Sequence, residues 1–326
     1  MTGIAVTPLE TRRDVVVHVA RRAEELGYAS MHVAEGWGLD AGALLAEIAV
    51  RTERIRLATG VLNVWGRSPA TVAMLATTLD DISGGRFTLG LGSGSPQLAE
   101  GLHDTPFDAP VRRLEHTTRQ VRRLLAGERL VPAGEHGGRP LRLATDPRPD
   151  VPIHLAGLGP AAVELAGEVA DGWCPFLLPV SGLPEYSRRL EKGAARAGRP
   201  RPDVVLCPPV AVAPTRDQAR ELASWWVSFY LTRMGPLYRR TLERAGYADA
   251  VAEVVNAAAE HGPTVPASAE VLLDELVVWG EPDAARARLD RWRAAGAEQL
   301  ALVLPPQRPV EELDAMLEAM RPEPAA

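Results

Sequence analysis

The stretch from Ser83 to Gln97, which reads SGGRFTLGLGSGSPQ, constrains the fold of this chain most. It joins a helix end to a short apolar strand, and the strand leaves through glycines at alternate positions, Gly90, Gly92 and Gly94. Glycines at a strand exit leave bare main chain, against which a flat ligand can lie. In a barrel of alternating strands and helices, such exits form the face that carries the chemistry. The alternative interpretation is a bulged turn that binds nothing.

Short apolar segments alternate with longer amphipathic ones along most of the chain. The strand candidates are residues 3–7, 30–34, 55–61, 87–92, 153–156, 172–176, 204–213, 277–280 and 299–304. Eight strands can be counted from these candidates, and the spacing predicts an α/β protein with a parallel barrel. Residues 128–150 are predicted to be a hairpin or irregular insertion, and residues 237–275 a helical insertion outside the barrel. We expect residues 1–326 to form one domain, because barrels with insertions reach this length.

Composition excludes several classes of partner. The net charge is −6 and the arginines are scattered, so no basic stripe is available for nucleic acid. Cys174 and Cys207 lie in apolar segments without metal-ligand spacing, which indicates reduced thiols. The segment Met1 to Glu10 lacks the pattern of a signal peptide, and no segment has eighteen uninterrupted apolar residues. We therefore expect a cytoplasmic protein that binds neither nucleic acid nor a membrane.

The second and third strands end in residues suited to a site. The second is followed by Glu35, Gly36 and Trp37, which bring a carboxylate and an indole to the barrel rim. Glu35 is either an acid, base or ligand-orienting group, or the partner of an arginine in an ion pair. Trp37 is either a pocket wall or a core residue. The third strand ends near Asn63, whose amide reaches the same rim.

The fifth strand runs into the loop Gly157–Gly159, after which Pro160 begins a helix. Free N–H groups at a helix N-terminus favour a phosphate, although many such turns start helices without any anion. His103 follows the glycine-rich exit and is a candidate for contact with substrate. The histidines of the sequence do not form a metal-binding motif. The sequence also lacks the nucleophile elbow, the P-loop and the dinucleotide fingerprint after its first strand.

Separated segments together resemble the bacterial luciferase-like flavin and deazaflavin oxidoreductases, over nearly the whole chain. The segments are AEELGY, VAE, RTERIRLATGV, TLDDISGGRF, LGLG, IHLAGLGP with VADGW, and GEPD with AAGA. VAEGWG, GSPQ with EGLH, and AGLGP resemble the branch that uses the deazaflavin coenzyme F420 most. The resemblance implies a (β/α)8 TIM barrel, often dimeric, with a cofactor ring at the carboxyl ends of its strands.

The resemblance also implies which residues hold the cofactor. A cis peptide bond after the third strand, here Gly60–Val61, would support one face of the ring, and the coenzyme phosphate would meet the Gly157–Gly159 loop. The cofactor-binding residues expected on this basis are Thr59, Gly60, Val61, Gly92, Ser93, Gly94, Ser95, Ala156, Gly157, Leu158 and Gly159. Two positions depart from the family pattern: Gly36 replaces a common histidine, and Ser95 replaces the acidic residue of some sugar-phosphate dehydrogenases.

Three functions remain open on the sequence. The first is a coenzyme F420-dependent oxidoreductase that transfers a hydride to or from a small organic substrate, reducing a C=C or C=N bond. Glu35, Trp37, Asn63 and His103 are then the candidates around the substrate, and Glu35 or His103 could donate a proton. The second is a monooxygenase that uses reduced flavin mononucleotide (FMN). The third is a barrel that binds a cofactor or metabolite without turnover.

Overall fold

The computed structural model describes residues 1–132, 134 and 138–323. The strands are β1 (Thr2–Val6), β2 (Ser30–Val33), β3 (Arg56–Thr59), β4 (Leu62–Asn63), β5 (Phe87–Gly92), β6 (Ile153–Ala156), β7 (Gly172–Trp173), β8 (Asp203–Leu206), β9 (Val210–Val212), β10 (Val278–Gly280) and β11 (Gln299–Leu304). The helices are α1 (Arg13–Glu25), α2 (Ala41–Arg51), α3 (Pro69–Ile82), α4 (Pro96–Ala99), α5 (Pro110–Leu125), α6 (Pro160–Val169), α7 (Leu183–Ala197), α8 (Arg216–Arg233), α9 (Pro236–Arg244), α10 (Ala248–His261), α11 (Val271–Leu276), α12 (Pro282–Ala294) and α13 (Val310–Ala319). Short 3₁₀ helices span Val180–Gly182 and Ala267–Ala269.

Eight strand positions close into a parallel barrel. Their order around the ring is β1, β2, β3 with β4, β5, β6, β7, β8 and β11, and β11 pairs with β1. The ring is closed at β5 because β3 and β4 both pair with it, Leu57 beside Phe87 and Leu62 beside Leu91. β3 and β4 are therefore two halves of one broken strand, and the predicted (β/α)8 barrel is confirmed.

The predicted strand at 277–280 is the candidate that does not join the ring. It forms β10, which pairs in parallel with β9 through Val278 and Val210. The predicted strand at 204–213 is divided into β8 and β9 by Pro208 and Pro209, which lack the N–H that a sheet ladder requires. β9 thus leaves the barrel after the proline pair, and β10 extends it outside.

The two interruptions of the alternation differ in structure. Residues 133 and 135–137 of the first lie outside the described residues, and the described remainder of 128–150 contains no helix or strand. Residues 236–276 are largely helical, in α9, α10 and α11. Their apolar side chains form one cluster with α8 and with inward-facing barrel residues, among them Ala5, Val205 and Ala301. These helices therefore cover the end of the barrel at which the strands terminate.

None of the helices in the described parts of the chain combines the length and the apolar character needed to cross a bilayer.

Arg86 ties the turn before β5 to the end of α2. Its guanidinium donates to the carbonyl oxygens of Ser83 (2.7 Å), Ile55 (2.8 Å), Ala49 (2.9 Å) and Thr52 (3.0 Å), and to the Thr52 hydroxyl (3.1 Å). The planar fork of arginine can make these contacts together, whereas an ammonium group has three donors around one point. Arg86 therefore supplies partners for carbonyl groups that the helix end leaves unpaired.

We expect Arg86→Lys to lower the free energy of unfolding by about 2 kcal/mol, because it removes two or more hydrogen bonds to buried main chain. Urea unfolding followed by circular dichroism measures this loss. Arg51→Lys is the matched control, since Arg51 is exposed and pairs with Glu47 on the same helix. Equal stability of the two variants would contradict the structural role of Arg86.

Candidate active site

A cavity of about 210 Å³ opens where the barrel strands end. The strand register brings three predicted tracts together there: Asn63 on β4 pairs with Gly92 on β5, and Gly92 pairs with Ala156 on β6. Asn63 and Ala156 both line the cavity. The segments predicted to hold a ligand are therefore neighbours at one edge of the barrel.

The break between β3 and β4 forms part of the cavity wall. The peptide bond between Gly60 and Val61 is cis, as the resemblance implied. The Gly60 N–H donates to the Val33 carbonyl (2.7 Å), and the Val61 carbonyl accepts from the Glu35 N–H (3.2 Å). Gly60 and Val61 both line the cavity. The main chain is thus held on both sides of the break.

The glycines of β5 make room for this break rather than for a ligand. A Cβ atom at Gly90 would lie 2.1 Å from the carbonyl oxygen of Thr59, and one at Gly92 would lie 2.8 Å from Cγ2 of Val61. The space that the sequence analysis assigned to a flat ligand is therefore filled by the neighbouring strand. Gly94 differs, because it lines the cavity and has a φ of +62°.

Three other predicted cofactor contacts, Thr59, Ser93 and Ser95, do not contribute to the cavity lining. The buried Thr59 hydroxyl donates to the Gly90 carbonyl (2.8 Å) and accepts from the Gly90 N–H (2.7 Å). The Ser93 carbonyl accepts from the indole N–H of Trp65 (2.7 Å), and Ser95 caps α4. Thr59 therefore fixes the junction of β3 with β5, and Ser93 and Ser95 fix the loop after β5. All three lie behind the residues that line the cavity.

Glu35 lines the cavity, but its carboxylate is bound by protein groups. Arg67 donates to both carboxylate oxygens, and the N–H of Ala41 donates to one of them (3.1 Å). Arg67 also donates to Asp40, which caps α2. The ion pair considered for Glu35 in the sequence analysis is therefore present. Trp37 lines the cavity at its rim and is half exposed, as expected for a pocket wall.

Asn63 and His103 form a hydrogen-bonded pair. Oδ1 of Asn63 accepts from the N–H groups of Trp65 (3.0 Å) and Gly66 (3.0 Å), which fixes the amide so that Nδ2 lies 3.2 Å from Nε2 of His103. Nε2 must then accept the hydrogen bond, so the proton of the neutral ring is on Nδ1. His103 packs over Gly66 and is not part of the cavity lining. It therefore supports Asn63 from behind.

The Gly157–Gly159 loop begins at the cavity wall, directly after Ala156, and leads into α6. Gly159 is the N-cap of this helix and has an extended backbone. Within the described chain, the N–H groups of the loop and of Ala161 have no main-chain acceptor. These donors and the positive end of the helix dipole form a place suited to an anion. The loop itself lies beside the cavity rather than in its lining.

Four side chains that no sequence motif indicated close the cavity opposite the barrel wall. Phe176 follows β7, Tyr230 and Met234 come from α8 and the turn after it, and Tyr238 comes from α9. The available signal was the aromatic run at residues 225–230, which is unusual in a chain with few aromatic residues. Its place above the barrel depends on how α8 and α9 pack, which local periodicity does not specify.

Two thiols and a histidine also line the cavity. Cys174 and Cys207, both free, lie in the wall. Burial raises the pKa of the Cys207 thiol to about 12 and that of Cys174 well above its usual value, so both are neutral at physiological pH. His32 also lines the cavity, and its Nε2 lies 3.0 Å from the Ser30 hydroxyl. Burial, with a smaller effect of His154, lowers the pKa of His32 to about 3.

Comparisons with known proteins agree on the family. Residues 3–299 match the family model described as luciferase-like monooxygenase. A Mycobacterium tuberculosis protein, provisionally named a coenzyme F420-dependent oxidoreductase, is 33% identical over 322 residues, which cover 90% of this chain and 92% of that protein.

Solved structures show the same fold. The coenzyme F420-dependent tetrahydromethanopterin reductase of Methanopyrus kandleri superposes with a TM-score of 0.78 at 21% identity, covering 98% of this chain and 97% of the other. The oxygenating part of 3,6-diketocamphane monooxygenase from Pseudomonas putida, solved with FMN, has a TM-score of 0.76 at 20% identity, with coverage of 98% and 97%. With its closed parallel barrel, its broken third strand and a family match over most of its length, the chain belongs to the luciferase-like monooxygenase family.

Proposed function

We propose that this chain is a coenzyme F420-dependent oxidoreductase that transfers a hydride to or from a small organic substrate. The observation that carries the proposal is the cavity at the strand ends, whose wall residue Ala156 leads through the Gly157–Gly159 loop to the open N-terminus of α6. A planar apolar ring with a phosphorylated tail requires this combination of an apolar wall and an anion site. The relative at 33% identity, which carries an F420-dependent name, supports the choice of cofactor.

The residues present fit such a coenzyme. Val61, Gly94 and Ala156 offer small or apolar surface to the ring, and the unpaired N–H groups of the Gly157–Gly159 loop are available to the phosphate. When bound, the coenzyme supplies the hydride chemistry that no amino-acid side chain can provide. The chain supplies position: Thr59 and Gly90 hold the broken strand that presents Val61.

The remaining polar residues of the site are assigned supporting roles. Arg67 and the N–H of Ala41 hold the Glu35 carboxylate toward the start of α2, so we assign Glu35 to fixing the rim. Asn63 keeps its amide in one orientation through His103 and two main-chain N–H groups. Trp37 forms the outer wall. The largely apolar lining favours a small organic substrate, and reduction of a C=C or C=N bond is the reaction we propose.

The helix N-terminus gives the sharpest test of cofactor binding. A Cβ atom at Gly159 would meet nothing within 4 Å, so Gly159→Asp fits sterically and places a helix-capping carboxylate where the phosphate would bind. Two like charges about 5 Å apart repel by about 3 kcal/mol at an effective dielectric constant near 20. We therefore expect the dissociation constant of coenzyme F420, measured by fluorescence titration, to rise about 100-fold.

Gly159→Asn is the matched control, because it adds nearly the same shape and capping ability without charge. It should change the dissociation constant far less, while both variants keep or slightly raise the melting temperature. Equal binding by the two variants would contradict a phosphate at this helix. Tight binding of FMN by the unaltered chain, with no binding of coenzyme F420, would replace the proposal with the FMN-dependent monooxygenase, which the fold shared with the camphane enzyme supports.

The proposed function is accompanied by proposals on domain organisation, association and localisation. We propose that residues 1–326 form one domain, that two copies associate, and that the protein is cytoplasmic. Light scattering of the purified protein measures the number of subunits directly.

A further inference from the structure

Two tyrosines that no sequence motif indicated lie above the cavity. Tyr230 is on α8 and Tyr238 is on α9, and both line the cavity opposite the barrel wall. They come from the helices that cover the strand ends, so they face the region in which a substrate would lie over a ring bound at Val61.

Neither phenol hydroxyl has a hydrogen-bond partner within the described residues. Tyr230 is only 4% exposed. Among the described residues, the side-chain polar atoms that are fully enclosed and lack a partner are the Oγ atoms of Ser224 and Ser228. The Tyr230 hydroxyl is not among them. The hydroxyl therefore retains accessible surface, and the cavity is the open space that Tyr230 lines. A nearly buried hydroxyl without a partner is costly, so its presence points to a ligand that supplies the acceptor.

The aromatic neighbours fix the direction of both rings. The ring of Tyr230 lies 4.8 Å from that of Phe176, 5.8 Å from that of Trp226 and 5.3 Å from that of Tyr238, to which it is perpendicular. Packed rings of this kind cannot turn freely. The hydroxyl groups are thus held in place before a ligand arrives, which is the condition for efficient hydrogen bonding in a reaction.

The polar groups Glu35, Asn63 and His32 of the lining are engaged by other groups, and the thiols of Cys174 and Cys207 are weaker hydrogen-bond donors than a phenol. The Glu35 carboxylate is paired with Arg67, and Asn63 is held by main-chain N–H groups. His32 is neutral and shares its Nε2 with the hydroxyl of Ser30. Burial raises the pKa of both tyrosines, so the phenols carry their protons at neutral pH.

We propose that Tyr230 donates its hydroxyl proton to the nitrogen of a reduced C=N bond, or to the carbonyl oxygen conjugated with a reduced C=C bond, with Tyr238 as a second donor beside it. This inference rests on the proposed function and assigns the proton donor that function requires. As a hydride from reduced deazaflavin forms the new C–H bond, the π electron pair moves to the oxygen or nitrogen. That atom takes the phenolic proton, and the phenolate recovers a proton from water.

The first test measures the hydrogen bond without turnover or coenzyme. The probe is 4-(dimethylamino)cinnamaldehyde, an aldehyde conjugated with a C=C bond, whose absorption moves to longer wavelength when its carbonyl accepts a hydrogen bond. We expect a red shift on binding to the unaltered protein and its loss in Tyr230→Phe. An absent shift with the unaltered protein, or an equal shift in the variant, would overturn the proposal.

Stability separates this role from a structural one. Tyr230→Phe removes an unpaired hydroxyl and should leave the melting temperature unchanged or higher. The matched control is Tyr28→Phe, which removes a buried hydrogen bond to the Leu317 carbonyl (2.8 Å) far from the cavity, and should lower it. A lower melting temperature in Tyr230→Phe would indicate that the hydroxyl serves the fold instead.

Kinetics with reduced coenzyme F420 and the same aldehyde provide the second test. We expect Tyr230→Phe to lower kcat about 100-fold, the usual effect of removing one donor to a developing negative charge, with a smaller change in KM. Tyr28→Phe should keep its kcat. An unchanged kcat in Tyr230→Phe, or no reduction of the aldehyde by the unaltered enzyme, would contradict proton donation. Failure of the unaltered chain to bind coenzyme F420 would instead contradict the proposed function, whatever the aldehyde spectrum shows.

Discussion

Gly90→Ala is expected to lower the free energy of unfolding by about 4 kcal/mol and to abolish coenzyme binding. The added methyl carbon would lie 2.1 Å from the Thr59 carbonyl oxygen, and this oxygen belongs to main chain that cannot turn away as a side chain can. Relief of the clash must separate β3 from β5, which costs overpacking strain and the two hydrogen bonds of the Thr59 hydroxyl. The same movement displaces Val61 from the cavity wall.

Urea unfolding and fluorescence titration with coenzyme F420 measure the two effects of Gly90→Ala. Gly138→Ala is the control, because a Cβ atom at Gly138 meets nothing within 4 Å and its φ is not in the left-handed region. It should retain both stability and binding. A Gly90→Ala variant as stable as Gly138→Ala would show that the strand junction is not as tight as described.

Acidification from pH 7.5 to pH 5 is expected to remove about 4 kcal/mol of stability through two histidines, the buried His32 and the partly buried His154. Burial is the main cause that lowers the pKa of His32 to about 3 and that of His154 to about 4. An unfolded histidine has a pKa near 6.5. Between these values the unfolded chain binds protons that the folded chain excludes, so stability is complete above about pH 6.5 and falls as the pH decreases toward 4.

Each histidine contributes about 2 kcal/mol over this range, at about 1.4 kcal/mol per pH unit and per proton. Urea unfolding at pH 7.5, 6 and 5 measures the loss. His32→Gln or His154→Gln should each reduce the acid-dependent loss by about 2 kcal/mol, whatever its effect at pH 7.5. His116→Gln is the control, since His116 is exposed. An acid dependence that is the same in all three variants would show that His32 and His154 do not cause it.

The sequence predicted the barrel because its signals are local. Short, continuously apolar strands and amphipathic helices alternate along the chain at a spacing that favours a parallel arrangement. Local signals did not predict that residues 277–280 would pair outside the ring. Val278 pairs with Val210 on a strand that leaves the ring after Pro208 and Pro209, and an apolar run does not reveal which neighbour it will have.

Some features of the candidate site could also be predicted from the sequence, and others could not. The place of Val61, Asn63 and Ala156 followed from the rule that parallel strands present their carboxyl ends at one edge. The function of Gly90 was misassigned, because a glycine pattern signals close approach without identifying the approaching group, which is Thr59. The Glu35 ion pair depends on Arg67 in a separate loop. From the sequence, an ion pair and a role toward the ligand were therefore both open for Glu35.

Tyr230 could not be found from motifs at all. It lies on α8, whose aromatic residues suggest only a packed helix, and the role that we propose for it rests on an unpaired hydroxyl above the strand ends. Such a property depends on the packing of α8 and α9 over the barrel and on the absence of an acceptor in the described surroundings. Both properties depend on the tertiary structure, which local sequence patterns do not specify.

A crystal structure of the protein with bound coenzyme F420 would locate both the ring and the phosphate. We expect the ring to lie against Val61 at the break between β3 and β4, and the phosphate to lie within about 3 Å of main-chain N–H groups at the start of α6. A coenzyme bound elsewhere, or a phosphate held away from the Gly157–Gly159 loop, would contradict this expectation.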